Sequence, residues 1–276
     1  MQLTYFKMQG TGNQIVLVDQ RHQAALPPSS AVLRALANSD TGPGFDQLLW
    51  LGPSQDASVA ASYRVFNADG SEVEQCGNGV RCIALMLARE NDAVRHFVLE
   101  SPAGPVEARV LDDDRVAVNM GAPQFDPARV PFVASSQADR YQLEVAGTTF
   151  TVDVLSMGNP HCILEVDDVA AADVAHLGPL IELHHQFPAH TNVGFMHIID
   201  STTIDLRVHE RGVGETLACG TGACAAVVAG QRRNRLDDEV SVQLPGGELV
   251  VSWRGDAEPV WLSGDAEFIS EGIIDL

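Results

Sequence analysis

Apolar and polar positions alternate along several short stretches of this 276-residue chain. Between Val106 and Asn119 the apolar positions Val106, Ala108, Val110, Val116 and Val118 flank an Asp112-Asp113-Asp114 break, a pattern that predicts a β-hairpin. Phe150 to Leu155, Thr203 to His209 and Glu248 to Trp253 alternate in the same way, and Pro245-Gly246-Gly247 predicts a turn between two strands. Two stretches change to a helical period. Val80, Ile83, Ala84 and Leu87 repeat at i, i+3, i+4 and i+7 after Gly79, and Ala223, Ala226, Val227 and Gly230 repeat likewise after Gly222. Arg232 and Arg233 lie near the end of the second helix, where positive charge complements the helix dipole. The pattern predicts mixed α/β structure in which strands surround central apolar helices.

The chain also reads as one unit written twice. Gly12-Asn13 and Gly158-Asn159 each stand just ahead of an apolar run that closes on an acidic residue, Asp19 or Asp167. Cys76-Gly77-Asn78-Gly79 is matched by Cys219-Gly220-Thr221-Gly222. Asn13 and Asn159 are 146 residues apart, and Cys76 and Cys219 are 143 apart. A nearly fixed offset of half the chain predicts two homologous domains, not a short-period solenoid. The boundary is expected near Gly121-Ala122-Pro123, giving an N-terminal domain over 1–120, to which 265–276 returns, and a C-terminal domain over 121–264.

Composition narrows the partners. The formal charge of −20, from 17 basic and 37 acidic side chains, repels a phosphate backbone and an anionic membrane surface alike, so neither nucleic acid nor membrane is an expected partner. No apolar run approaches the roughly eighteen residues of a membrane span, and the first residues lack the layout of a secretion signal. A soluble cytoplasmic location is expected, and a homodimer is compatible with the sequence. Five cysteines in so long a chain are then thiols, to be explained by packing, metal or catalysis.

A cysteine immediately ahead of a helix sits among unpaired backbone N–H groups at the positive end of the dipole, which predicts a thiol of lowered pKa. Flanking glycines let a ligand carboxylate approach those N–H groups. Two such turns in two duplicated domains suit proton removal from one face of an α-carbon and return to the other, with a thiolate as base and the opposite thiol as acid. Zinc would need closer cysteine pairs than Cys76 with Cys82 or Cys219 with Cys224, so no metal is expected. Cys82, Cys162 and Cys224 read as packed residues. A cysteine acyltransferase or protease could use His161 as base, but it leaves the duplicated thiol unexplained.

The words Phe66-Asn67-Ala68-Asp69-Gly70-Ser71-Glu72, Gln75-Cys76-Gly77-Asn78-Gly79, Met157-Gly158-Asn159-Pro160-His161, Glu210-Arg211-Gly212 and Ala218-Cys219-Gly220-Thr221-Gly222 closely resemble the diaminopimelate epimerase family, and the likeness runs nearly end to end. The resemblance implies two pseudo-symmetric α/β domains, each a β-rich barrel-like unit around a central helix, with an active site in the cleft between them. It implies interconversion of LL- and meso-diaminopimelate, on the route to lysine and cell-wall precursors, with no cofactor. The thiol pair corresponds to Cys76 and Cys219. The reacting amino-acid head would meet Asn13, Gly77, Asn78, Gly220 and Thr221. The distal head would meet Asn67, Asn159, Asn192, Glu210 and Arg211, with Gln47 and His161 bordering the site.

Departures from the family pattern at Gln9, Gln14, Ile15 and Pro43 flank the site without removing a catalytic group. A proline or hydroxyproline racemase shares the two-thiol logic but needs no polar set for a second head, which counts against it. A non-catalytic relative of the same duplicated fold could lack a thiol, and this chain has both.

Overall fold

A computed structural model of the chain describes residues 2–23, 25–73, 76–255 and 257–275. It divides into two compact units, Met1–Asn119 with Ser263–Leu276, and Met120–Leu262.

The first unit opens with an antiparallel pair, β1 (Gln2–Gly10) and β2 (Asn13–Asp19). Helix α1 (Ser30–Ala37) then leads to β3 (Gln47–Gly52), which lies parallel to β2. Next come β4 (Ala61–Asn67), antiparallel to β3, the short β5 (Glu72–Val73) and helix α2 (Gly77–Glu90). Strand β6 (His96–Ser101) runs parallel to β4 and continues antiparallel into β7 (Gly104–Val110) and β8 (Val116–Asn119). The hairpin expected between Val106 and Asn119 is thus β7–β8.

Strand β2 is apolar on both faces because both are covered. Its Val16 and Val18 pack with Leu33 and Leu36 of α1 and with Leu48 and Trp50 of β3. Helix α2 is buried from Asn78 to Ala88, so its residues have no wet side. Fully burying side chains such as Ile83 or Leu87 contributes roughly 1.5–3 kcal/mol each, which outweighs the modest helix propensity of the glycine-rich start.

The second unit repeats this order. Strands β9 (Tyr141–Val145), β10 (Thr148–Ser156) and β11 (Pro160–Glu165) form an antiparallel run. Helix α3 (Val174–Glu182) leads to β12 (Asn192–Asp200), parallel to β11, and then to β13 (Thr203–Glu210) and β14 (Gly214–Thr216). Helix α4 (Gly220–Arg232) precedes β15 (Glu239–Leu244), parallel to β13, and β16 (Gly247–Ser252). Successive residues of β11 serve different layers. Cys162 joins the cluster with Val174 and Ile181 of α3, and Ile163 joins that of Ala226 and Val227 on α4.

After β17 (Trp261–Gly264), the last strand, β18 (Glu267–Asp275), pairs antiparallel with β1. It stands to β1 as β9 stands to β10, so each unit has a leading strand, a parallel pair flanking a first helix, and a second helix enclosed by strands. The protein is a mixed α/β, strand-rich fold of two units that share one element order. Among the described residues no helix is long and apolar enough to cross a membrane.

Candidate active site

Strand register gathers the polar candidates of the first unit at one end of its sheet. Ile15 pairs with Gln47 across the parallel strands, and Gln47 pairs with Asn67 across the antiparallel ones. Asn13, two residues before Ile15, therefore lies at the same sheet end. Gln47 Nε2 donates to Asn67 Oδ1 at 2.9 Å, and Asn67 Nδ2 donates to Ser71 Oγ at 3.1 Å. Asn13 Oδ1 is buried and accepts no hydrogen bond from any described residue.

Cys76 is the N-cap residue of α2, with extended backbone and its Sγ accepting from the Gly79 N–H at 3.2 Å. Among the described residues the amides of Gly77 and Asn78 donate to no protein acceptor, as expected of a first helical turn. Gln75 lies outside the described residues. The role expected of the second glycine needs correcting. A Cβ at Gly79 would lie 2.5 Å from Leu49 Cδ2, and the Gly79 N–H is already used by the thiol. Close packing of helix on sheet, not ligand approach, requires glycine there.

The second unit presents the same rows. His161 pairs with Asn192, and Val193 with His209, which sets Asn192 beside Glu210. Asn192 is buried, donates to the Pro160 carbonyl at 2.9 Å and accepts from the Arg211 N–H at 3.0 Å. Glu210 Oε1 accepts from Thr216 Oγ1 at 2.6 Å. Arg211 is exposed, and its Nη1 donates to the Ala189 carbonyl at 3.1 Å. Asn159 Nδ2 donates to Thr221 Oγ1 at 3.3 Å, and its Oδ1 lies 3.0 Å from His161 Nε2.

Cys219 is the N-cap residue of α4, with Sγ 3.6 Å from Thr221 Oγ1. Gly220 and Thr221 follow it in the first turn, both half-buried. The lowered pKa expected for a helix-start thiol is not found at Cys219. Burial pushes this thiol up, because a desolvated thiolate loses its hydration, and the nearby negative charge of Glu210 adds to the effect. Cys219 is only 4% exposed, so desolvation outweighs the dipole.

His161 is fully buried behind Asn159, and burial, followed by the charge of Arg211, lowers its pKa to about 3. It stays neutral at ordinary pH, and its Nε2–H is committed to Asn159. That disfavours the cysteine protease reading, which needs a histidine base on the thiol. Among the described residues no cluster of three or more histidine, cysteine or acidic groups could hold a metal ion. Two buried polar groups at the site escaped the sequence reading. Arg81 and the Glu182–His209 pair both hold segments that carry candidate residues, and the one available signal was a charged residue inside an apolar helix.

The profile described as diaminopimelate epimerase matches residues 5–126 and 154–269. A diaminopimelate epimerase of Laribacter hongkongensis is 51% identical over 280 residues, and one of Thioalkalivibrio sulfidiphilus is 49% identical, each covering 100% of both chains. The chain belongs to the diaminopimelate epimerase family. Epimerases are isomerases, so the chain is an enzyme of that class. Both turns that start with cysteine lie inside the matched segments of the family profile. The fold extends beyond diaminopimelate epimerases. A phenazine biosynthesis protein of the PhzF family from Bacillus anthracis superposes with TM-score 0.69 at 15% identity, covering 100% of both chains. A hydroxyproline epimerase from Agrobacterium vitis superposes with TM-score 0.67 at 16% identity, covering 99% of this chain and 91% of that one.

Proposed function

We propose that the chain interconverts LL- and meso-diaminopimelate by exchanging the α-hydrogen between two cysteine sulfurs. The observation that supports this best is the equivalence of Cys76 and Cys219, each the N-cap of the enclosed helix in its own unit. One thiolate removes the α-proton, the pair of electrons is held by the substrate carboxylate as charge builds up there, and the other thiol delivers a proton to the opposite face. The product differs in configuration at one carbon, and the sulfurs have exchanged protonation states. The mechanism requires both thiols to reach one α-carbon.

Asn13 and the first-turn residues Gly77, Asn78, Gly220 and Thr221 are proposed to hold the reacting head. Helix-start N–H groups stabilise a carboxylate that gains charge in the transition state. Asn67, Asn159, Asn192, Glu210 and Arg211 are proposed to recognise the distal amino-acid head, with Gln47 and His161 supporting them. No electron-sink cofactor enters this scheme. Thiols that must stay reduced suit a cytoplasmic enzyme supplying lysine and peptidoglycan precursors.

The test is solvent exchange. In deuterium oxide, LL-diaminopimelate incubated with the enzyme should acquire one deuterium at the inverted α-carbon, and alanine and proline should not. Inversion without solvent deuterium in the product would overturn the proposal.

A further inference from the structure

Strands β1 and β2 are joined by a two-residue hairpin turn, with Gly10 paired to Asn13 across it. Its central residues, Thr11 and Gly12, both lie in the left-handed region, with φ of 50° and 78°. Such a turn favours asparagine, aspartate or glycine, and a β-branched side chain is strained at the first place. Thr11 is nonetheless buried there, and its Oγ1 accepts from Arg81 Nη2 of α2 at 2.7 Å. Arg81 is itself 0% exposed, and its Nε donates to the Asp265 carbonyl at 3.1 Å. A β-carbon at Gly10 would lie 3.3 Å from Arg81 Nη2 and 3.4 Å from the Asn78 carbonyl oxygen, so the turn rests directly on the start of α2. One buried cation thus ties a strained turn to the helix start that carries Gly77 and Asn78.

The second unit shows that packing alone does not call for this pair. By the offsets of the duplication Thr11 corresponds to Met157 and Arg81 to Cys224, and those two residues belong to one apolar cluster. Burying a guanidinium in place of an apolar side chain is costly, the more so because Nη1 has no hydrogen-bond partner among the described residues. The equivalent asparagines are also held differently. Asn159 is fixed through its own side chain, by Thr221 Oγ1 and His161 Nε2. Asn13 Oδ1 is buried and accepts no hydrogen bond from any described residue, so the anchor two residues away has to place Asn13 through the backbone.

We propose that Thr11 and Arg81 are positioning residues for Asn13: their hydrogen bond fixes the β1–β2 turn on α2 and leaves the Asn13 amide oxygen open to the ammonium of the reacting amino-acid head. The inference rests on the role given to Asn13 under the proposed function. An amide oxygen only accepts, so of the two groups on that head it takes the ammonium and not the carboxylate. The ammonium keeps its charge throughout the reaction. A contact to it is equal in ground and transition states, and its loss appears in KM more than in kcat.

Thr11→Ala removes the hydroxyl together with the β-branching that strains the turn, and Thr11→Ser keeps the hydroxyl. In Thr11→Ala, KM for diaminopimelate should rise roughly tenfold with kcat within about threefold, and Thr11→Ser should recover most of the loss. Asn13→Ala should raise KM likewise. Combined with Thr11→Ala it should add no more than about threefold, whereas independent residues would multiply to about a hundredfold. Without substrate, amide hydrogen exchange over residues 10–13 should quicken about tenfold or more in Thr11→Ala while that of α2 holds. Arg81→Met should reproduce both effects, and if it does not fold the Thr11 variants decide. Multiplying KM effects, or unchanged exchange in folded Thr11→Ala, would overturn the inference. Faster exchange in a protein that does not turn over diaminopimelate would instead sink the proposed reaction, and with it the ammonium contact, while the anchor of the turn stands.

Discussion

The carboxylate of Glu182 lies 2.8 Å from Nε2 of His209, with both side chains buried. A carboxylate can only accept, so His209 donates. The other oxygen, Oε1, accepts from the Gly212 N–H at 2.8 Å. Glu182 thus fastens the end of β13 and the Glu210-Arg211-Gly212 turn to α3. Glu182→Ala leaves the buried His209 donor unsatisfied and releases the exposed Gly212 N–H to water, and should cost roughly 1–3 kcal/mol. Urea denaturation should show that loss, and KM for diaminopimelate should rise more than kcat falls, because the turn carries Glu210 and Arg211, which are proposed to bind the distal head. Glu182→Gln keeps an acceptor for Gly212 and should lose less. A stable Glu182→Ala enzyme with unchanged KM would refute the fastening role.

Cys76→Ala and Cys219→Ala should each abolish inversion, since one base without an opposing acid cannot complete it. Retention of more than about a tenth of wild-type turnover in either variant, a barrier change of barely 1.4 kcal/mol, contradicts the paired roles. Residual α-hydrogen exchange without inversion is the expected behaviour of a half-equipped site.

The distal head separates diaminopimelate from smaller amino acids. On the proposed assignment a ligand without it forgoes the contacts of Asn67, Asn159, Asn192, Glu210 and Arg211, and polar sites built for a head group reject truncated analogues strongly. Proline, lysine and alanine should be turned over at least about 10³-fold less efficiently than diaminopimelate. Arg211→Lys should lower kcat/KM for diaminopimelate roughly tenfold, because an ammonium cannot hold a carboxylate by two parallel bonds. Comparable kcat/KM for proline in a side-by-side assay would remove diaminopimelate as the substrate.

His161 makes stability depend on pH. Its pKa is about 3 in the folded chain, against an ordinary value of 6.5. Between those values the unfolded chain binds a proton that the folded chain does not, so stability is full above about pH 6.5 and declines as pH falls toward 3. The urea midpoint should therefore fall between pH 7 and 4.5, and His161→Gln, which cannot protonate, should flatten the decline. Identical slopes for the two proteins would show that the buried imidazole is not the cause.

The sequence by itself determined the elements whose signals are local. Short words place Cys76 and Cys219 at the starts of α2 and α4, because a helix start depends on a few consecutive residues. The Asp112-Asp113-Asp114 and Pro245-Gly246-Gly247 turns mark β7–β8 and β15–β16 for the same reason. Apolar periodicity marks both central helices, and the mixed α/β class follows from it. At the departures, Gln9 Nε2 donates to Glu267 at 2.6 Å, a partner 258 residues away, and the Gln14 backbone N–H, which most residues there would present, donates to Asp46 at 2.7 Å.

Only the tertiary structure decided what depends on distant partners. Strand register lines up Asn13, Gln47 and Asn67, and again Asn159, Asn192 and Glu210, from segments tens of residues apart. The partners of Arg81 lie 70 and 184 residues away, and that of Glu182 lies 27 away. The local rule for a helix-start thiol fails at Cys219, where burial and Glu210 outweigh the dipole. Backbone patterns are written in neighbouring residues. Desolvation and charge are set by whatever the fold brings within a few ångströms, and no stretch of sequence contains that.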